Sequence, residues 1–554
     1  MPRTWIQITA LIAITVAVYM NAPQGQFMNI DDNLLIYNNP KVQEFTVANI
    51  KEIFSTFDPE LYIPFTLLSY QIEYLFVGEN PSLFHTTNVI LHLLNVLLVF
   101  ALIRFFNKKW FVPFITASLF AIHPINTEAV MWISGRKDLL SAFFFLGSLV
   151  LYCRHRLRGD RLSFYGSLGL FVCALLSKII AVTLPLVTLI IHDIQPTKNE
   201  SNTSIKLLAF GVPAIVFLGI GMMGKSLAIF VLSYFDVFLM GCKSIYFYLQ
   251  KLVLPTNLSM VYEQITPISI FSSEFLFPIL ILVALGVITI TSRAFSKILS
   301  FGMLWYVITL LPNLGNSVKG VENTLYYASD RYAYLPSIGI FFIAAMGVAW
   351  VIDNGTALQK KGITIFCTLV IGLYAFSTYN YAITWLTPEQ NHTRGVELYP
   401  ESFLSNMMVG MSYIKQEKSK EAIPHLEIAV ARKPLYPNPR AHLGLALVKT
   451  GEIDRGIAEL KKSQRGISRQ YSYTYVYLAY AYMVQGQERK AEVTLSNALA
   501  RYPENPTILR MYGTLEHRKG NLELAEEYFR KSISLDDTSV RAKAALARLL
   551  REKG

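Results

Sequence analysis

Two adjacent carboxylates, Asp31 and Asp32, follow the first membrane-length apolar run of a 554-residue chain in which many more such runs succeed it. An acid pair at the mouth of a helical bundle suits removal of a proton from a substrate held at the membrane. The competing reading is a helix cap, with Asp32 or Asn33 opening a short helix. A second polar stretch, Ala121 to Asp138, lies between two apolar runs. There Glu128 suits holding a sugar hydroxyl or positioning an acceptor, and Arg136 and Lys137 suit neutralising a phosphate, with Arg the better fork. A plain loop pair of Arg136 with Glu128 competes.

Lys178 stands between Leu175-Leu176 and Ile179-Ile180, where an unpaired ammonium is costly. It requires an anion, either a lipid phosphate or a carboxylate of the chain. Asp330-Arg331-Tyr332 brings a further cation to the start of another apolar run, unless Asp330 and Arg331 form a local pair. His85, Asn88, His92 and Asn95 are spaced three, four and three apart and form one polar stripe on a helix. Such a stripe serves interhelical hydrogen bonds, or a wet cavity. Two histidines seven apart without a nearby carboxylate make no metal site, and Cys153, Cys173, Cys242 and Cys367 read as packing residues. Asp330, Tyr332, His85 and His92 are candidate substrate contacts.

The elements that must position these groups follow from composition. With 53% hydrophobic and 16% charged residues, the chain is too apolar for a soluble enzyme and reads as a polytopic membrane protein. Apolar runs predict about eleven spans, near 5–21, 84–103, 111–122, 139–153, 162–176, 178–192, 206–223, 275–292, 298–312, 335–352 and 363–381. The first is read as an uncleaved anchor, not a signal peptide. Lys and Arg gather with Arg3 in loops at 104–109, 154–161, 293–297 and 360–361, which marks that side as cytoplasmic. Asp31-Asp32 and everything after about 382 then face the opposite, extracytoplasmic side. The stretch 224–274 is left as an interfacial wall or an additional pair of spans.

From about 403 the composition turns charged and periodic. Gly410, Gly444, Ala479 and Gly513 recur at 34 to 35 residues, together with Ala422, Ala491 and Ala525, with Pro434 and Pro503, and with Gly451, Gly486 and Gly520. This is a tetratricopeptide array. Small residues admit close helix approach, and the prolines end the second helix of a hairpin. The organisation expected is a membrane domain over 1–381, a linker over 382–402, and about four repeats with a capping helix over 403–554. Residues 401–554 hold 25 Lys and Arg against 17 Asp and Glu, so they carry eight of the twelve net positive charges of the chain. Tyr473 and Tyr480, seven apart on one helix face, suit an acceptor groove or ordinary packing between repeats. No nucleic-acid motif is present.

Taken in order, Asp31-Asp32, Phe84-His85-Thr86-Thr87-Asn88 with Leu91-His92-Leu93-Leu94-Asn95, His123-Pro124 through Glu128-Ala129-Val130, Gly135-Arg136-Lys137-Asp138 and Ser329 through Ser337 resemble the transmembrane and tetratricopeptide-repeat (TMTC) proteins and their bacterial relatives. The resemblance implies an all-α GT-C glycosyltransferase fold that uses a sugar carried on polyprenyl phosphate. It further implies that Asp31 or Asp32 is the base and that the repeats select a protein acceptor; about four repeats is fewer than the long arrays of eukaryotic members.

The reading is therefore an inverting transfer from a polyprenyl-phosphate sugar to a hydroxyl of an extracytoplasmic protein. Arg331, Arg136, Lys137 and Lys178 steady the phosphate, without metal, nucleotide or other cofactor. The partners expected are the lipid-linked donor, membrane lipid and an acceptor peptide, in the inner or plasma membrane if the source is bacterial. A glycan or lipid acceptor and a non-enzymatic repeat scaffold are the alternatives.

Overall fold

A computed structural model describes residues 2–28, 30–58, 61–194, 203–225, 232–292, 297–314, 325–464, 471–537 and 539–553. They form two compact units, Met1–Asn391 and His392–Gly554, and both are almost wholly helical.

In the first unit, seven helical segments are long and apolar enough to cross a membrane: Thr4–Gln24, Pro81–Phe106, Lys206–Gly224, Ser273–Thr291, Lys297–Leu314, Ser337–Asn354 and Ala357–Ile383. Seven of the eleven expected spans are thus long and apolar enough among the described residues, and the count of about eleven is not confirmed. Helices do occupy the other four positions. Phe111–Ile122, Arg161–Ser177 and Ile179–Ile194 are short, and the 12 residues of the first rise only about 18 Å against a hydrocarbon layer of roughly 30 Å. Arg136–Arg158 has 23 residues, but it opens on Arg-Lys-Asp and closes on Arg154, Arg156 and Arg158. Of the basic loop residues, Arg293 lies outside the described residues.

Among the described residues of the stretch 224–274, the helix Tyr234–Val253 is followed by a short strand β1, Tyr262–Glu263. This strand pairs antiparallel with β2, Tyr326–Ala328, with Tyr262 opposite Ala328. The pairing ties that stretch to the segment carrying Asp330 and Arg331. Residues 382–402, read as a linker, include the end of Ala357–Ile383 and the helix Pro388–Leu398.

The second unit is a row of helical hairpins: Phe403–Lys415 with Ser419–Arg432, Pro437–Lys449 with Ile453–Ser463, Ser472–Val484 with Glu488–Arg501, and Pro506–Arg518 with Leu522–Leu535. The helix Val540–Lys553 follows and packs Leu549 and Ala545 beside Phe529. A Cβ at Gly410, Gly444 or Gly513 would strike Leu426, Leu460 or Phe529 of the second helix, which is why the smallest residue recurs there. At the turns Gly451, Gly486 and Gly520 take φ of +96°, +78° and +84°, a conformation that side chains resist. In the first hairpin Glu417 occupies that position at φ 64°.

Candidate active site

The two adjacent acids have opposite surroundings. Asp32 is fully buried. Its carboxylate accepts hydrogen bonds from the Met28 N–H at 2.7 Å, the Ser134 N–H at 3.0 Å and the Ser134 hydroxyl. Burial pushes its pKa up to about 7 against the opposing pull of these donors. It opens the helical turn Asn33–Tyr37 but makes no side-chain cap there, so its side chain serves the second loop instead. Asp31 is 37% exposed and meets Lys137 Nζ at 2.9 Å. Burial raises its pKa, but the charge and hydrogen bond of Lys137, then Arg331 and Lys178, outweigh burial and leave it below the ordinary carboxylate range.

Three consecutive residues open the helix Arg136–Arg158, and a turn of about 100° per residue sends them in three directions. Arg136 goes into the core. It meets Glu73 at 2.7 Å, donates to Asn88 Oδ1 at 2.8 Å and to the Phe84 carbonyl at 2.6 Å, and lies 4.9 Å from the Tyr70 ring centre. With all of its forks engaged it belongs to the scaffold and stands apart from the other candidate phosphate ligands; its partner is Glu73 and not Glu128. Lys137 reaches Asp31, and Asp138 accepts from Lys178 Nζ at 2.5 Å. Of the two anions proposed for Lys178, the structure therefore supplies the carboxylate.

Glu128, on the short helix Thr127–Met131, is buried and accepts from the Ser329 hydroxyl at 2.7 Å, the Arg331 N–H at 3.1 Å and the Arg331 guanidinium. It is thus a clamp on Arg331 rather than an open acid. Asp330 does not pair with Arg331. It is buried, accepting from Tyr262 of β1 at 2.8 Å and from Tyr381 at 3.2 Å, and burial, then Glu128, push its pKa well up. These two anchors fix the direction in which Arg331 points.

Two rings join the cations. Trp132 lies beneath Lys137 at 5.4 Å and Arg331 at 4.8 Å, and Tyr332 lies beneath Lys178 at 5.3 Å and Arg331 at 4.8 Å. Lys137, Lys178 and Arg331 thus converge on one place, faced by the open carboxylate Asp31. Three buried atoms of this cluster, Asp138 Oδ2, Arg331 Nε and Trp132 Nε1, have no hydrogen-bond partner among the described residues. An apolar cavity lined by Ile63, Leu175, Ile180 and Phe217 reaches Lys178.

The polar stripe serves the scaffold. His92 bridges Tyr334 at 2.7 Å and the Ala121 carbonyl at 3.1 Å, Asn95 donates to the Leu139 carbonyl at 3.0 Å, and Asn88 donates to the Trp132 carbonyl at 2.9 Å. His85 lies 3.4 Å from the Gln26 carbonyl and is fully buried. As substrate contacts His85, His92 and Asp330 are therefore corrected to internal ties. Tyr332 stays with the cations. In the repeats, Tyr473 stacks on Tyr471 at 5.1 Å and meets Tyr477 at 5.5 Å, and Tyr480 packs between hairpins. Sequence reasoning missed Asp138, Ser134, Trp132, Glu73 and Tyr477. Asp138 had one available signal, its position one residue beyond Lys137 at a helix start.

The tetratricopeptide-repeat family model matches residues 478–540. Over 515 residues, 80% of the chain and 56% of the relative, the chain is 26% identical to the human protein O-mannosyl-transferase TMTC1. It is 32% identical over 206 residues to mouse TMTC1, covering 34% of the chain and 22% of the relative. It is 23% identical to the Caenorhabditis elegans protein O-mannosyl-transferase F38B6.6, over 77% of the chain and 62% of the relative. The matches thus span less than two thirds of each of these relatives. A solved tetratricopeptide protein of Thermus thermophilus, 22% identical, covers 33% of the chain and 96% of its own length with a TM-score of 0.27. With an apolar helical bundle followed by tetratricopeptide repeats, and with the TMTC O-mannosyl-transferases as its similar proteins, the chain is a relative of the TMTC family.

Proposed function

We propose that the protein is a GT-C-type membrane glycosyltransferase that moves a sugar, mannose by analogy with its relatives, from a polyprenyl phosphate to a hydroxyl of an extracytoplasmic protein. The observation that carries this reading is the open Asp31 carboxylate facing three cations, the buried Lys137 and Lys178 and the half-buried Arg331, around Trp132 and Tyr332.

In this mechanism the acceptor oxygen attacks the anomeric carbon while Asp31 takes its proton. The bond from that carbon to the phosphate oxygen breaks with inversion, and the lipid phosphate leaves with one more negative charge. Arg331 Nε and the two ammonium groups lie where that growing charge is stabilised. An arriving donor phosphate draws Lys137 away from Asp31, which raises the basicity of the carboxylate when the acceptor is bound. The cavity beside Lys178 takes the start of the apolar tail. Asp32 holds the loop to Ser134, and Glu128 and Asp330 orient Arg331.

The pH dependence of kcat/KM with a polyprenyl-phosphate sugar tests the assignment, because it reports the free enzyme. With Asp31 as base the rate is flat through neutrality and falls only below the ordinary carboxylate range. A limb near pH 7 transfers the role to Asp32. If purified protein, stable and repeat-intact, transfers no sugar from any polyprenyl-phosphate donor and the D31N strain keeps every glycosylated product, the reading fails and a scaffold remains.

A further inference from the structure

The basic excess of the repeat unit is not spread over its surface. The first helices of the hairpins and the terminal helix, Phe403–Lys415, Pro437–Lys449, Ser472–Val484, Pro506–Arg518 and Val540–Lys553, together hold ten Lys and Arg against two Glu. The four second helices hold ten against nine acids. First helices pack on first helices along the row, and in such solenoids they line the concave side. The first helices are thus poor in acid, with Arg440, Arg548 and Lys553 paired to Glu459, Glu552 and Glu526, while the second helices are balanced in charge.

Across the acid-poor side runs an aromatic strip. His442 meets Tyr473 at 5.3 Å and Tyr477 at 5.5 Å, and Tyr471 stacks on Tyr473 at an interplanar angle of 16°. Tyr473, Tyr477 and Tyr480 are spaced four and three apart, so they share a helix face, and all three are half-buried. Beyond them stand Arg510 and Arg541, the first half-buried and the second exposed. Burial, then the charge of Arg541, hold the Arg510 guanidinium below its ordinary value, and the charge of Arg541 also bears on Tyr477. Neither arginine has a carboxylate partner among the described residues. Two like charges kept together without an anion, at the end of a ladder of rings, leave a site complementary to an extended acidic segment.

We infer that the first-helix side of the repeats, from His442 through Tyr473 and Tyr477 to Arg510 and Arg541, binds an extended peptide rich in Asp and Glu. Its carboxylates pair with the two guanidinium groups, and its backbone and apolar carbons lie on the tyrosine rings. The inference rests on the transfer reading only in making that peptide the acceptor; binding itself requires no donor and no Asp31.

The test is fluorescence anisotropy on the full-length protein in detergent, with no sugar donor, using a short fluorescein-labelled peptide of alternating Glu and Thr. The wild-type protein and D31N bind it equally, and affinity falls as salt rises. R510E and R541E each weaken binding about tenfold, and Y477A weakens it as well. The matching Lys-Thr peptide binds the R510E/R541E protein more tightly than it binds wild type. The inference is overturned if the acidic peptide does not bind, if R541E at its exposed position leaves affinity unchanged, or if the Lys-Thr peptide binds wild type equally well. It is overturned equally if the arginine changes abolish binding only to phosphatidylglycerol vesicles. Binding intact with transfer absent would sink the transfer reading alone.

Discussion

The two units use charge in opposite ways. In the membrane unit the candidate charges are set into protein and paired across long stretches of chain: Asp31 with Lys137, Glu128 with Arg331, Glu73 with Arg136, Asp138 with Lys178. In the repeat unit the ion pairs lie nearer the surface, either one helical turn apart, such as Arg530 with Glu526 and Arg548 with Glu552, or between neighbouring helices, such as Arg455 with Glu427. Exposed pairs contribute about 0–1 kcal/mol each. A buried pair that loses one member leaves an uncompensated charge, costing about 3–5 kcal/mol. Substitutions in the membrane unit should therefore act through single charges, and those in the repeats through shape and backbone.

The largest effect expected is on catalysis. D31N should lower transfer by about 100-fold or more and, by leaving Lys137 without its carboxylate, lower the melting temperature somewhat, whereas D32N, which gives up the ties to Met28 and Ser134, should lower the melting temperature more; an equal loss of thermal stability in the two would erase the contrast drawn between the adjacent acids. Next comes the scaffold pair: R136M strands Glu73 and should cost about 3–5 kcal/mol, read as loss of a monodisperse peak in detergent. In the repeats G444V should destabilise by about 1–3 kcal/mol, because the added methyls meet Leu460 and the Gly456 carbonyl. Limited proteolysis between hairpins measures it. Smallest, and of opposite sign, E417G should stabilise by about 1 kcal/mol by removing a side chain from a left-handed turn, read as a rise in the melting temperature of the repeats. Exchanging the exposed Arg548 for Gln should change almost nothing; a loss as large as that of R136M would contradict the comparison.

This same contrast decides what was legible in the sequence. The repeats could be read because each contact recurs 34 or 35 residues on, so one hairpin describes all of them. Even there the spacing of seven between Tyr473 and Tyr480 does not mark Tyr477, which stands at plus four on the same face. The membrane unit disclosed its candidate residues but not their pairings, which join positions 106 and 203 residues apart. Lys178 visibly needed an anion, but only folding brings the helix Arg136–Arg158 to it and makes Asp138 that anion. Arg136 and Lys137 look equivalent in a row of letters; one turn of helix makes the first a core strut and the second the partner of Asp31. Apolar character without length does not separate a full span from a shorter helix such as Phe111–Ile122.

The tie between Asp32 and Ser134 makes two distant loops one heritable part. The carboxylate that faces the cations has no rigid support of its own. Its neighbour is bolted to the residue just before Gly135, and the following three residues deliver the lysine that meets it. A chimera that grafts the first loop of a relative into this chain should work only when residues 134–138 travel with it. Transplanted alone, the acid would arrive in a socket machined for another key.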